Sequence, residues 1–243
     1  MSCYIIKFSH NDVIIVKYNT EGQKMAENLD IAHFNMLEQQ VRPSDVLEPR
    51  VLMALKTVVR DQFVDDELSG LAYADTELPI GFGQMMLSPV LQGRLLQALN
   101  VQADENVLEI GTGAGYLTAL LAHLGSHVIS VEIVPELSAL AQHNLAAAGV
   151  DNVELQVGDA SRAWPLAERI DVIVVTAAFV FVPDDYLQQL QVGGRMLAIV
   201  GKGQNMEVQI IRRITERKWQ MDSVFETVVA AMINAEAKPE FEF

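Results

Sequence analysis

Short apolar runs alternate with helical patterns along the second half of the chain, from Glu105 onward. Runs that are apolar throughout are typical of strands covered on both faces, and the stretches between them carry apolar residues at helix spacing. The alternation predicts an α/β fold: a doubly wound, mostly parallel seven-stranded sheet with helices on both faces. The predicted strands are residues 107–110, 128–131, 153–157, 171–175, 196–200, 208–214 and 219–229.

The first 24 residues have a different pattern from the rest of the chain. Two β-type runs, residues 4–8 and 13–18, flank the turn-prone residues 9–12. This pattern predicts either a small added β-hairpin or an extension that the fold does not need. We favour the second interpretation because chain termini commonly tolerate change.

Residues 25–100 carry mainly helical signals. Apolar residues recur at helix spacing before Pro43 and again after Pro49, whereas residues 70–87 have no helical period. These patterns divide the chain into three parts, of which the second and third form one compact unit. The parts are an N-terminal extension (1–24), a helical N-terminal cap that ends with the non-helical segment and one further helix (25–100), and an α/β core (101–243).

Composition and charge narrow the classes of protein. The chain has 243 residues, with 17 Lys and Arg against 32 Asp and Glu, for a net charge of −15. Such a surface repels phosphate groups, which argues against nucleic-acid and membrane partners. The single cysteine, Cys3, excludes an internal disulfide and a cysteine-based zinc site, and the histidines have no metal-ligand spacing. Without a secretory-leader pattern, we expect a cytoplasmic protein with no metal site.

The most specific motif is a glycine-rich turn between a predicted strand and a predicted helix. Gly111, Gly113 and Gly115 follow strand 107–110 with Gly-x-Gly-x-Gly spacing. Glycines let the backbone turn tightly, expose its N–H groups and approach a ligand closely. A dinucleotide-binding turn needs its third glycine at position 116, where this chain has Tyr116, so a nicotinamide cofactor is disfavoured. An ordinary strand–helix turn is the alternative.

Two acidic residues follow the next two predicted strands. Glu132 ends the second strand, where its carboxylate can accept two hydrogen bonds from a ribose diol; a solvated loop glutamate is the alternative. Asp159 ends the third strand and can accept from the exocyclic amine of adenine; a turn aspartate that supports the backbone is the alternative. Since the carboxyl ends of parallel strands line one crevice, we expect both side chains beside the glycine turn.

The glycine turn resembles the nucleoside-binding loop of S-adenosylmethionine methyltransferases, and three blocks together resemble the protein-L-isoaspartate O-methyltransferase family. The resemblance implies a Rossmann-like methyltransferase fold, S-adenosylmethionine as cofactor, and methyl transfer to an isoaspartyl carboxylate, which starts the repair of damaged proteins. It also implies that Glu109 helps to hold the amino acid end of the cofactor. The blocks are residues 73–84, residues 107–116 with 130–132, and residues 171–178 with 183, 193–195 and 200–201. The implied cofactor-binding residues are Glu109, Gly111, Thr112, Gly113, Gly115, Glu132 and Asp159.

One segment departs from that family. Its members have Thr-Ile-Ser after a Gly-Gln pair, with both hydroxyls near the reacting groups, whereas this chain has Met85, Met86 and Leu87 there. Pro89 keeps the family's spacing, so Ser88, the candidate catalytic hydroxyl, takes the serine's place only through a local bulge. Each lost hydrogen bond to a charged partner costs about 1.5–3 kcal/mol. The predicted substrate-loop residues are Ile80, Gly81, Gly83, Gln84, Met85 and Leu87.

The favoured hypothesis is an S-adenosylmethionine-dependent O-methyltransferase whose partner is a damaged protein or peptide that carries isoaspartate. One alternative keeps the cofactor but has another small, less polar acceptor, which Met85 and Leu87 would suit. A second alternative is a cofactor-binding sensor without turnover. The sequence predicts no particular oligomeric state.

Overall fold

The computed structural model describes residues 3–9, 12–18 and 20–235. Its strands are β1 (Cys3–Ser9), β2 (Asp12–Tyr18), β3 (Leu78–Gly81), β4 (Gln84–Met86), β5 (Asn106–Ile110), β6 (His127–Glu132), β7 (Val153–Val157), β8 (Ile170–Phe179), β9 (Leu190–Lys202), β10 (Asn205–Thr215) and β11 (Lys218–Glu226). Its α-helices are α1 (Thr20–Asn35), α2 (Pro49–Thr57), α3 (Pro89–Leu99), α4 (Tyr116–Leu124), α5 (Pro135–Ala147) and α6 (Asp184–Gln189). A π-helical turn (Met36–Val41) continues α1, and 3₁₀ turns follow at Arg42–Ser44, Arg60–Phe63 and Asp66–Leu71.

A seven-stranded sheet forms the centre of the protein, in the order β11-β10-β9-β8-β5-β6-β7. The pairs from β9 through β8, β5 and β6 to β7 are parallel, and those of β10 with β9 and β11 are antiparallel. This topology confirms the predicted doubly wound, mostly parallel sheet. The strand order reverses at β5, which lies between β6 and β8, so a crevice opens at the carboxyl end of β5.

Two apolar clusters cover the two faces of the sheet. Val107 belongs to one cluster and Leu108 to the other, as the alternation of side chains along β5 requires. Met36 and Leu55 of the N-terminal cap lie in the cluster of Val107, so the cap and the sheet share one hydrophobic core. The short helix α6 packs on the opposite face through Tyr186.

β8 and β9 extend furthest beyond the predicted strands; β10 is also longer than predicted, and β11 ends at Glu226 and not at residue 229. β8 continues beyond residue 175 to Phe179, because its last two residues pair with residues 199–200 of β9. The N–H of Ala178 also donates to the carbonyl of Ala230, in the C-terminal segment after β11 (227–235). β9 begins at Leu190, which pairs with Ile170 before the register shifts near the glycines at 193–194. Both extensions depend on partners far away in sequence, so the local pattern did not reveal them.

The N-terminal residues form β1 and β2, an antiparallel pair separate from the central sheet. His10 and Asn11, in the predicted turn, lie outside the described residues. Helix α1 begins at Thr20, so the boundary that the sequence predicts after residue 24 lies within this helix. Glu, Gln and Lys, which occupy three of residues 21–24, are good helix formers. The division of the chain into an extension and a cap stays a prediction.

Residues 70–87, which showed no helical period, include a β-hairpin formed by β3 and β4. Its two turn residues, Phe82 and Gly83, have φ of +53° and +72°. Positive φ at both central positions is the signature of a type I′ turn, whose twist matches that of a two-stranded hairpin. The turn leaves the side chain of Phe82 exposed to solvent.

Candidate active site

The glycine turn lies at the carboxyl end of β5, where the strand order reverses. Gly111, Gly113 and Gly115 have φ of +95°, +56° and +91°, values that side-chain-bearing residues rarely adopt. A Cβ atom on Gly111 would lie 2.2 Å from Oγ1 of Thr176. That hydroxyl is held by hydrogen bonds to the carbonyls of Ile110 and Gly111. Because Gly115 is the N-cap of α4, unpaired N–H groups of the first helical turn lie beside these glycines.

Glu132, at the end of β6, holds the glycine turn in place. Its Oε2 accepts from the N–H of Gly113 at 2.9 Å, and its Oε1 accepts from the N–H of Val134 at 3.0 Å. The residue is only 5% exposed, and that exposed part lines the crevice. A carboxylate has about four lone-pair sites, so each oxygen keeps the capacity for a further hydrogen bond.

Asp159 follows β7 and is bonded to its own turn and to the C-terminal segment. Its Oδ1 accepts from the N–H of Ser161 and its Oδ2 from Nδ2 of Asn234, each at 2.9 Å. These hydrogen bonds, that of the Ser161 N–H first, lower the pKa of the carboxyl below its usual value. Asp159 therefore supports the local backbone, as the alternative interpretation expected, and its contact with adenine stays a prediction.

These residues line one cleft that has two hollows. The first encloses about 700 Å³, including space open to solvent, between the glycine turn and the β3–β4 hairpin. The second encloses about 460 Å³ and is lined by Asp159 and its neighbours. Gly111, Glu132 and Gln84 border both hollows, so the glycine turn, Glu132 and Asp159 follow one another along the cleft. This order suits an elongated ligand with polar groups at its middle and at both ends.

The C-terminal segment contributes to both hollows, which the sequence did not reveal. Ala230 lines the first hollow and residues 231–233 line the second. Ala231 pairs with Ala178 in a parallel bridge, and the N–H of Met232 donates to the Ala178 carbonyl at 2.8 Å. Apolar residues outside any motif carry no sequence signal of a ligand site, and only the fold brings these residues to the cleft.

Glu109 is buried beneath the glycine turn and borders neither hollow. Its Oε2 accepts from the hydroxyls of Thr118 at 2.5 Å and Ser130 at 2.6 Å. The hydroxyl of Ser130 lies 2.6 Å from that of Thr112, so the chain of hydrogen bonds reaches the turn itself. Complete burial raises the pKa of Glu109 to about 7. Glu109 thus supports the turn from below, and its implied contact with a cofactor stays a prediction.

The β3–β4 hairpin forms the wall opposite the glycine turn. A Cβ atom on Gly113 would lie 3.0 Å from Cδ1 of Ile80, so the two walls come close together. Gly81 and Gly83 lie in the exposed part of the hairpin and do not border the first hollow. The predicted substrate-loop residues that line the first hollow are Ile80, Gln84, Met85 and Leu87.

Ser88, the candidate catalytic hydroxyl, borders neither hollow. It is the N-cap of α3, and its Oγ accepts from the N–H of Leu91 at 3.4 Å. This is the capping role typical of a serine before a helix that opens with proline. The hydroxyl thus serves the helix, and the wall of the first hollow is formed by Met85 and Leu87 instead.

Neither a metal centre nor a transmembrane helix occurs in the part of the chain that the structure describes. Across these residues, no three His, Cys, Asp or Glu side chains converge in a way that could hold a metal ion. None of the described helices combines the length and the apolar character that crossing a bilayer requires.

A parallel sheet that reverses at a glycine turn, with carboxylates after the next two strands, defines the Rossmann-like methyltransferase class. Two solved structures share this fold. One is a Plasmodium falciparum protein assigned as a protein-L-isoaspartate O-methyltransferase, in complex with S-adenosyl-L-homocysteine; it has a TM-score of 0.73 and 19% identity, with 82% of this chain and 97% of that chain covered. The other, a protein-L-isoaspartate O-methyltransferase, has a TM-score of 0.72 and 21% identity, with 85% of this chain and 66% of that chain covered.

Sequence comparison defines the family within this class. Residues 32–237 match the family described as Protein-L-isoaspartate(D-aspartate) O-methyltransferase. The protein-L-isoaspartate O-methyltransferase of Methanoculleus marisnigri is 39% identical over 189 residues, which cover 78% of this chain and 84% of the relative. That of Anaeromyxobacter dehalogenans is 44% identical over 173 residues, which cover 71% and 81%. The chain belongs to the protein-L-isoaspartate O-methyltransferase family, which confirms the resemblance seen in the sequence.

Proposed function

We propose that this protein uses S-adenosylmethionine to methylate the side-chain carboxylate of isoaspartyl residues in damaged proteins and peptides. The observation that carries the proposal is the order of the glycine turn, Glu132 and Asp159 along one cleft, in a chain of this family. The names of the relatives agree with this substrate. The proposal includes a cytoplasmic location, which suits a chain with one cysteine.

The groups on the chain suit this cofactor. Glu132 keeps acceptor capacity for a ribose diol, and the unpaired N–H groups at the start of α4 suit the carboxylate of an amino acid. Side chains at Gly111 or Gly113 would crowd the cleft walls. When bound, S-adenosylmethionine supplies an electrophilic methyl group on a positively charged sulfur, and its transfer to a carboxylate oxygen leaves a methyl ester and neutral S-adenosylhomocysteine.

The acceptor needs orientation and desolvation more than proton transfer. A carboxylate is already ionised near neutral pH, so no general base is required. Positioning two reactants in a site with little water lowers the barrier substantially. Ile80, Met85 and Leu87 form an apolar wall that serves this purpose, with Met85 half-exposed and Leu87 buried.

A methyltransferase with a less polar acceptor is the second candidate. Met85 and Leu87 stand where the family has hydroxyls, and their side chains offer the acceptor no hydrogen bond. Glu77 also lines the first hollow, where its negative charge would repel a carboxylate. An acceptor without negative charge would suit these side chains. We prefer it to the isoaspartyl carboxylate only if isoaspartyl peptides fail as substrates.

The release of S-adenosylhomocysteine, measured with paired peptides that differ only in isoaspartate against aspartate, tests the proposal. We expect release with the isoaspartyl peptide alone. Glu132→Ala should weaken cofactor binding at least tenfold, about 1.4 kcal/mol, whereas Glu154→Ala, an exposed change on β7, should leave it unchanged.

Different results would contradict the proposed acceptor and the proposed cofactor. S-adenosylhomocysteine binding without release on the isoaspartyl peptide would favour the second candidate, or a sensor if no acceptor gives turnover. Tighter binding of NAD than of S-adenosylmethionine in calorimetry would overturn the cofactor assignment itself.

A further inference from the structure

A buried arginine joins the two walls of the first hollow. Arg60 is completely buried and donates three hydrogen bonds: Nε to the Ala72 carbonyl at 2.8 Å, Nη2 to the Leu87 carbonyl at 2.8 Å, and Nη1 to Oε1 of Gln92 at 2.5 Å. Its guanidinium also lies over the ring of Tyr116, 5.0 Å from the centroid. Leu87 ends the substrate loop and Tyr116 begins α4, so one side chain contacts both walls.

The contact with Arg60 determines how the amide of Gln92 is oriented. A guanidinium has only donors, so the amide oxygen must face Arg60 and Nε2 must point away from it. Gln92 is 2% exposed and lines the first hollow. Oε1 accepts from Arg60, but Nε2 donates to none of the described residues. The buried amide therefore has two N–H donors without a protein acceptor.

Tyr116, which also lines the first hollow, carries a second unused donor. It is 1% exposed, and its hydroxyl has no hydrogen-bond partner among the described residues. Burial raises the pKa of Tyr116 to about 12, so the hydroxyl keeps its proton at neutral pH. A buried donor without an acceptor costs about 1–3 kcal/mol, which a ligand that accepts the hydrogen bond would recover.

Arg60 places a positive charge near these donors, opposite in sign to Glu77 and Glu132, which also line the first hollow. All three groups that accept from Arg60 are uncharged, so the guanidinium has no carboxylate in hydrogen-bond contact among the described residues. Burial lowers the pKa of Arg60 only to about 10, so it is positively charged at neutral pH. A charge of this kind acts over several ångströms in a site with little water. No Lys, Arg or His is among the residues that line the first hollow. Arg60 contacts the lining residue Tyr116 and therefore supplies positive charge close to the hollow.

We infer that Nε2 of Gln92 and the hydroxyl of Tyr116 bind the acceptor carboxylate in place of the hydroxyls that Met85 and Leu87 lack. Arg60 is the positioning residue, since it orients the Gln92 amide and contributes positive potential beneath the carboxylate. The inference rests on the proposed function and names the groups that recognise its substrate. Ser88 does not compete for this role, because it caps α3.

Gln92→Glu provides the sharpest test because it keeps the shape of the side chain and its bond to Arg60. The change replaces the Nε2 donors with a carboxylate oxygen and neutralises the guanidinium by direct pairing. We expect kcat/KM for the isoaspartyl peptide to fall at least tenfold, mainly through KM. Calorimetry should show S-adenosylhomocysteine affinity within twofold of wild type and an unchanged or raised Tm. Gln39→Glu, which adds the same charge at an exposed position, is the matched control.

Tyr116→Phe is an independent variant that does not disturb Arg60. It removes only the unpartnered hydroxyl, so the fold should be at least as stable as in the wild type. We expect a fall of about tenfold in kcat/KM and weaker binding of the isoaspartyl peptide to the protein saturated with S-adenosylhomocysteine. This binding measurement does not depend on turnover.

The outcomes separate the inference from the proposed function. Normal peptide binding and kcat/KM within twofold of wild type in both variants would overturn the inference while leaving the proposed function intact. If Gln92→Glu does not fold, the Tyr116→Phe result decides alone. A wild-type protein that neither binds nor methylates the isoaspartyl peptide would overturn the proposed function, and the inference with it.

Discussion

The two halves of the cleft are built by different means. The half to which we assign the cofactor, here called the cofactor half, consists of a glycine turn and carboxylates at strand ends, and its geometry is held by hydrogen bonds such as that from the N–H of Gly113 to Glu132. The acceptor half consists of the β3–β4 hairpin, an exposed turn and apolar side chains such as Met85. Buried Arg60, from a third segment, connects the two.

The difference shows which half tolerates change. In the cofactor half, a side chain on Gly111 would collide with Thr176, and Glu132 is bonded at both oxygens, so few substitutions fit. In the acceptor half, Met85 and Leu87 replace two family hydroxyls without disturbing the hairpin, because its strands pair through backbone groups. We therefore expect mutations to be harmful in the cofactor half and to tune activity in the acceptor half.

Gly111→Ala should have the largest effect. The new Cβ would lie 2.2 Å from Oγ1 of Thr176, in a backbone conformation with φ +95°. We expect a stability loss of about 2–4 kcal/mol and at least a hundredfold weaker S-adenosylhomocysteine binding, about 2.7 kcal/mol, measured by thermal unfolding and calorimetry. Gly149→Ala is the matched control, because φ there is +71° but no atom lies within 4 Å of the added Cβ. Equal losses in both variants would mean that φ alone, and not the cleft, is responsible.

Restoring the two hydroxyls should improve the acceptor half. Met85→Thr with Leu87→Ser should raise kcat/KM for isoaspartyl peptides at least tenfold, about 1.4 kcal/mol of transition-state stabilisation. The double change Met85→Val with Leu87→Ala has nearly the same shape but no hydroxyls, so it should give no gain. A lack of gain with cofactor binding intact would indicate a pocket rebuilt for another acceptor. Wild-type activity equal to that of a relative with both hydroxyls would show the departure to be harmless.

Glu109→Gln separates a supporting role from a ligand-binding role. Burial raises the pKa of Glu109 from 4.5 to about 7, so its protonated form stabilises the fold. That contribution is complete below pH 4.5 and is lost as the pH rises through about 7. We expect the variant to gain stability over the wild type with rising pH, by roughly 1–3 kcal/mol or several degrees in Tm above pH 7. Because Glu109 borders neither hollow, cofactor affinity should be unchanged; a tenfold loss would instead support the contact that the family resemblance implies.

Deleting residues 1–24 should have the smallest effect. The family match begins at residue 32, and Leu29 is the first of the described side chains that packs against the shared hydrophobic core. Tm and cofactor affinity should therefore remain nearly unchanged, although the cut removes the first turn of α1. A fall of several degrees would show that this segment packs on the domain, and a parallel deletion of residues 1–19, which keeps α1 whole, would show whether the helix is responsible.

The sequence by itself determined the features that depend on local chemistry. Strand patterns, the three glycines with positive φ and the carboxylates at the ends of β6 and β7 follow from residues within a few positions of one another. Parallel strands bring their carboxyl ends to one edge, so the meeting of Gly111, Glu132 and Asp159 at one crevice was predictable. Their order along it follows from the strand order β5-β6-β7. The capping of α3 by Ser88 also depends only on neighbouring residues, because a serine before a proline is a common start of a helix.

Only the tertiary structure decided which polar groups meet across long separations. Glu109 shares a face of β5 with Val107, and the packing of α4 and β6 there supplies Thr118 and Ser130 as its partners. Asn234 reaches Asp159 only because the C-terminal segment pairs with β8. Gln92 and Tyr116 become neighbours of Arg60 through packing of the cap on the sheet, and each is unremarkable in its own segment. Such contacts depend on how distant elements pack, and residue spacing within one element does not encode that packing.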